Sequence, residues 1–204
     1  MFASSTIIED IRVMQETGCA SLAFFYCDFR VDRKRELRGL LSSFLIQLCH
    51  QSDYYFNILS NFYSEHDNGS RPPSDDALAG CLKDLLNLPG LAPVYLIVDA
   101  LDECPNTSVV RSPRAEVLCF IEELVTTQIL NLRVCVISRP ELDIENVLNP
   151  LTFFSVSLHD ESGQKRDIED YIKSVIDTRT TKSRWKETHR KLAFDALTEK
   201  SNGM

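Results

Sequence analysis

Glycine is sparse in this sequence, with seven residues in 204, at positions 18, 39, 69, 80, 90, 163 and 203. No two lie close enough to build a glycine-rich loop, and nothing reads Gly-x-x-x-x-Gly-Lys-Ser/Thr. The sequence therefore lacks the usual cradle of backbone N–H groups and lysine that holds β- and γ-phosphates. Long apolar runs are missing too, and none approaches the ~20 residues that span a bilayer. Positive charge is not in excess: the net charge is −8, which argues against a general nucleic-acid binder. Cys-x-x-Cys is absent, and the seven cysteines are odd in number. They read as reduced thiols acting as small apolar residues. The four histidines, His50, His66, His159 and His189, show no metal-ligand spacing, which argues against a zinc site. The first ten residues carry Glu9 and Asp10 and no basic segment, so they do not read as a secretory signal. A cytoplasmic protein without membrane segments is expected.

What is present is concentrated in Val94-Tyr95-Leu96-Ile97-Val98-Asp99-Ala100-Leu101-Asp102-Glu103. The apolar run has strand length and β-branched residues, so it reads as a strand buried on both faces. Such strands lie inside α/β sheets, whose ligands bind at the carboxyl ends. Three acids gathered there suit a cation or a reacting water. The competing reading is a buried strand followed by an acidic helix cap.

The rest of the chain alternates helices and strands. Helices are expected over Thr6–Glu16 with Ser4 or Ser5 as cap, Arg35–Cys49, Tyr54–Glu65 and Asp75–Leu88, after Ser112-Pro113, and over Asp167–Ile176. Strands are expected at Leu22–Tyr26, Val94–Val98, Leu132–Ile137 and Thr152–Leu158. Strands separated by helices imply a parallel α/β sheet. A composition shift after Asp177 marks a border between segments 1–177 and 178–204. The basic stretch Arg179–Lys191, with Trp185, Leu192, Phe194 and Leu197, reads as an amphipathic helix of an adjoining domain. The cluster Arg30, Arg33, Lys34, Arg35 and Arg38 is interleaved with acids and reads as the solvated start of a helix.

Six blocks taken in order carry a family resemblance: Ser5-Thr6-Ile7-Ile8-Glu9-Asp10-Ile11, Ala23-Phe24-Phe25-Tyr26-Cys27-Asp28-Phe29, Leu37-Arg38-Gly39-Leu40-Leu41-Ser42-Ser43, Ile97-Val98-Asp99-Ala100-Leu101-Asp102-Glu103-Cys104, Val136-Ile137-Ser138-Arg139-Pro140 and Leu158-His159-Asp160. They resemble the NACHT domain of STAND-class signalling NTPases, closest to its nephrocystin-like N-terminal type, abundant in fungal multidomain proteins. The resemblance implies an α/β parallel-sheet P-loop NTPase core that lacks its first strand and phosphate loop, followed by the start of a helical extension. It implies Asp99 as the Mg²⁺-associated aspartate of a Walker B strand and Asp102 with Glu103 as the acidic pair that positions the attacking water. It implies Arg139 as a sensor of the γ-phosphate of ATP or GTP. A guanidinium there suits phosphate, and pairing with Asp102 or Glu141 is the equal alternative. Its implied partners are further copies or other domains of a larger signalling protein.

In that family a central strand and the phosphate loop precede the helix that starts here near Ser4. The chain accordingly reads as a fragment deficient in nucleotide binding, or as a non-catalytic interaction module with an NTPase fold. A Mg²⁺-dependent nuclease or phosphatase is a third reading, and no lysine or histidine stands at a spacing that supports it. The missing strand is expected to leave a gap between Leu132–Ile137 and Thr152–Leu158.

Overall fold

The computed structural model describes residues 2–90, 92–107, 112–157, 162–176 and 185–201. They form a three-stranded parallel sheet and eight α-helices. The chain divides into two units, Met1–Thr152 and Phe153–Met204.

The first unit begins with α1 (Phe2–Glu16) and β1 (Ser21–Tyr26), followed by α2 (Leu37–Cys49), α3 (Asp53–Glu65) and α4 (Asp75–Leu86). Then come β2 (Val94–Asp99), α5 (Pro113–Thr126), β3 (Leu132–Val136) and α6 (Leu142–Leu148). The expected α/β architecture forms, and the acid-tipped strand lies at its centre, in the order β1-β2-β3. Tyr26 pairs with Asp99, and Val98 with Val136, so the three strands end nearly level.

Alternation along the strands divides the core. Ala23 and Phe25 of β1 and Val94, Leu96 and Val98 of β2 pack with α2, α4 and α5 in the larger cluster. Leu22 and Ile97 face the other way, onto Ile8 and Ile11 of α1. Each buried apolar side chain stabilises the fold by about 1.5–3 kcal/mol, so β2, buried on both faces, is the most firmly held strand. Serines start three of the helices: Ser52, Ser74 and Ser112 each accept a backbone N–H from the first turn. Helix α1 starts at Phe2, so Ser4 and Ser5 lie inside it rather than capping it.

The two outer edges of the sheet are finished differently. Gln47 in the last turn of α2 and Gln51 just past its end reach the free edge of β1. The Gln47 amide accepts from Phe24 N–H at 3.1 Å and donates to Phe24 C=O at 2.7 Å. The Gln51 amide does the same to Leu22, at 2.9 and 2.5 Å. The two glutamines stand in for a fourth strand. On the far edge of β3, no strand pairs with Val134 or Val136 among the described residues.

The strand expected over Thr152–Leu158 is not there. Residues 152–157 have no regular structure, and Leu158 lies outside the described residues. Phe153 and Phe154 are exposed, so the apolar run finds no partner strand to bury it. With no strand there, neither direct pairing with β3 nor a gap describes this sheet. A short helix that periodicity did not indicate, α6, follows Pro140 instead. The second unit holds α7 (Ser162–Ile176) and α8 (Glu187–Ser201), which pack against each other. No described helix is long and apolar enough to cross a membrane.

Candidate functional site

The site is the carboxyl end of the sheet, where three exit loops meet. β2 ends at Asp99, and the next residue, Ala100, sits in the left-handed region at φ 56° and ψ 45°. An alanine there stores about 1–2 kcal/mol of strain. The reversal tucks Leu101 fully into the core and starts a short 3₁₀ turn over Leu101–Glu103. Backbone bonds close the turn, with Glu103 N–H to Ala100 C=O at 2.9 Å and Cys104 N–H to Leu101 C=O at 3.1 Å.

The three acids then diverge. Asp99, on the β2 face that meets α1, is 6% exposed. No hydrogen bond or ion pair engages its carboxylate among the described residues. Asp102 turns toward the exit of β3: its Oδ1 accepts from Arg139 N–H at 3.1 Å and from the Ser138 hydroxyl at 3.5 Å. Glu103 turns toward the exit of β1, where its Oε2 accepts from Phe29 N–H at 3.4 Å. The acid pair thus spans both neighbours of the central strand and leaves Asp99 free between them.

Arg139 lies beside Asp102, with Nε 3.6 Å from Oδ2, and its side chain is 83% exposed. That pairing is the alternative raised by the sequence. At such exposure an ion pair contributes about 0–1 kcal/mol, so the guanidinium can leave Asp102 for another anion at little cost.

Two features of the site were not read from the sequence. Arg114, in the first turn of α5, is buried beneath the acid-bearing turn. It donates to Cys104 C=O at 2.9 Å and to Asp102 C=O at 2.5 Å. It also donates to both oxygens of Asp143 at 3.2 Å, at the start of α6. A cation in a first helical turn opposes the helix dipole; that mismatch is the sequence signal that Arg114 has other work. The second feature is a thiol pair, Cys27 after β1 and Cys104 after the turn, with Sγ atoms 3.5 Å apart. The hydrogen bond with Cys27 holds the Cys104 thiol below its usual range, and Arg114 adds to that against burial. The same bond, together with burial, pushes the Cys27 thiol up.

On the β1 exit, Arg30 grips Asp28 with Nε at 2.9 Å and Nη2 at 3.0 Å. That bond, helped by the Arg30 backbone N–H, holds the Asp28 carboxyl down at about 2.

The donor set limits what cation the site can hold. No group of three metal-capable side chains converges among the described residues. A protein-only metal cage is therefore not built among the described residues. One unpartnered carboxylate does fit Mg²⁺, which keeps waters and takes one or two carboxylates together with substrate phosphates. Surface hollows at the opposite, amino end of the strands, around Ser21, Gln51 and Gly90, lie apart from the acids.

Comparison with known families places this geometry. The family model described as nephrocystin 3, N-terminal, matches residues 2–139, a span that holds the whole sheet and ends on Arg139. The chain belongs to the nephrocystin 3 N-terminal family. No curated protein and no solved structure matches it.

Proposed function

We propose that this nephrocystin 3 N-terminal chain carries the metal-and-water half of a signalling NTPase of the NACHT and STAND type. In this reading Asp99 holds Mg²⁺ of bound ATP or GTP, Asp102 and Glu103 position the attacking water, and Arg139 contacts the γ-phosphate. When bound, Mg²⁺ neutralises phosphate charge. The observation that carries the reading is Asp99, a buried carboxylate without a partner at the end of the central strand. A carboxylate kept there with little solvent and no protein partner suits a cation better than a structural duty. The exposed Arg139 supports the reading, because it can swing off Asp102 onto phosphate.

The sequence contains no Gly-x-x-x-x-Gly-Lys-Ser/Thr segment. Each charge-assisted phosphate contact contributes about 1.5–3 kcal/mol, and several are lost with that loop. The chain by itself is therefore deficient in nucleotide binding. Association with further copies or other domains of a larger cytoplasmic signalling protein completes the proposal, with the helical extension beginning near residue 178.

A second reading, a non-catalytic interaction module with the NTPase fold, draws on Asp102 and Glu103. Both already accept backbone N–H groups and brace the exit loops. Titration calorimetry with Mg²⁺-ATP and Mg²⁺-GTP tests the binding claim, with millimolar or weaker affinity expected; micromolar affinity would refute it. Roles are separated in a version extended by a phosphate loop ahead of α1. There Asp99→Ala is expected to lose Mg²⁺-dependent binding, and Glu103→Gln to keep binding and lose turnover. Hydrolysis at the parent rate by Glu103→Gln would refute the water-positioning role of Glu103.

A further inference from the structure

We propose that Cys27 and Cys104 form a redox-modifiable pair, which a small peroxide converts to a disulfide that ties the acid-bearing turn to the end of β1. The proposal stands apart from any nucleotide reading, because it needs only the two thiols.

Three observations carry it. The Sγ atoms are already 3.5 Å apart and hydrogen-bonded as free thiols, and a disulfide needs about 2.05 Å. The shortfall is about the scale of small side-chain rotations. Both residues are buried, at 4% and 0% exposure, so peroxide reaches them only through local opening of the turn, and each thiol then has the other as its immediate neighbour. Among the described residues no other two cysteines are hydrogen-bonded to each other, and Cys19 and Cys119 are exposed. The placement is also specific. Cys27 N–H donates to Asp99 C=O at 2.9 Å, and Cys104 directly follows Glu103. A bond between them would join the exit of β1 to the turn that bears two of the three acids.

The chemistry balances with hydrogen peroxide as oxidant. One sulfur attacks a peroxide oxygen, the O–O bond breaks, and a sulfenic acid forms as one water leaves with the thiol proton. The other sulfur attacks that sulfur, the S–O bond breaks, and the hydroxyl leaves with the second thiol proton as a second water. Two thiols and one peroxide give one disulfide and two waters. The sulfurs are oxidised and the peroxide oxygens reduced. A dithiol reductant reverses the bond by exchange.

The test uses the whole folded chain. After treatment with hydrogen peroxide, free thiols are alkylated under denaturing conditions and the protein is digested for mass spectrometry. The expected product is a Cys27–Cys104 linked peptide pair, two hydrogens lighter than the thiols, that dithiothreitol abolishes. A digest with both residues alkylated, or with either joined to a different cysteine, overturns the pairing. In Cys27→Ala, Cys104 is expected to remain free of any disulfide; a link to another cysteine there also overturns it. Amide hydrogen exchange reads the restraint directly. Exchange at Glu103 and Cys104 is expected to slow about tenfold on oxidation and to recover on reduction. Equal exchange in the two states overturns the claim that the bond restrains the turn.

Discussion

β1 and β3 flank the same acid-tipped strand, yet each is finished by different chemistry. The free edge of β1 is closed by two side-chain amides, four hydrogen bonds in all, from Gln47 and Gln51. The free edge of β3 has no such clamp among the described residues. Their exit loops differ as well. The β1 exit receives Glu103 through one long bond from Phe29 and carries the tight Asp28–Arg30 pair. The β3 exit receives Asp102 through Arg139 and Ser138 and leaves the guanidinium in solvent. The β1 side is thus built for rigidity. The β3 side keeps a solvent-facing guanidinium, as the proposed phosphate contact requires.

Arg114 serves both sides, so removing it should erase the contrast. Arg114→Ala strips two carbonyls of their side-chain donor and leaves the Asp143 carboxylate with only the Asn106 amide. A loss of about 3–5 kcal/mol is expected, measured by urea unfolding, and a loss below 1 kcal/mol would show the turn to be held otherwise. Reopening the β1 edge sharpens the comparison. The double variant Gln47→Ala with Gln51→Ala should lose about 2–4 kcal/mol, at about 1 kcal/mol per bond, and amide exchange at Leu22 and Phe24 should rise. Unchanged protection of those amides would refute the clamp.

Asp99 lies between the two sides and should respond in the opposite direction. Asp99→Asn removes a buried, unpartnered charge and should raise stability by about 1 kcal/mol. A fall would mean that Asp99 has a structural partner and would weaken the proposed metal role. The smallest effect concerns the β1 exit. In an NMR titration Asp28 should titrate at about 2, and Arg30→Ala should return it toward the ordinary carboxylate range. Because the folded value is depressed, the contribution of Asp28 to stability is present above its unfolded pKa, about 3.9. It is lost as pH falls through about 2. An unchanged titration in Arg30→Ala would assign the shift elsewhere.

Much of this was legible in the chain. β2 and β3 announce themselves as apolar runs because burial on the inner faces demands it, and the positions of Asp99, Asp102 and Glu103 follow from where β2 must end. Helix α2 is equally plain from Leu37, Leu41, Phe44 and Leu48. The Arg139–Asp102 pairing was open to the sequence, but which backbone N–H groups the acids accept from was not, since residues 29 and 139 are brought close only by the sheet. Gln47 and Gln51 read as ordinary polar positions, because the strand edge they serve is distant in sequence. Phe153-Phe154-Ser155-Val156 has strand propensity, but a strand exists only when a partner pairs with it. The short α6, with Leu142, Ile144, Val147 and Leu148 as its apolar residues, offers too little periodicity to register.

The glutamine clamp also has a consequence for assembly. A sheet with two open edges can add copies without limit, because each addition exposes a fresh edge. Here one end of the row is stoppered by Gln47 and Gln51. Any joining of copies strand to strand would have to run through β3, and once two such edges met, neither copy would offer another. Sheet extension would then stop at a pair, and a larger ring or filament would have to grow through helical surfaces instead.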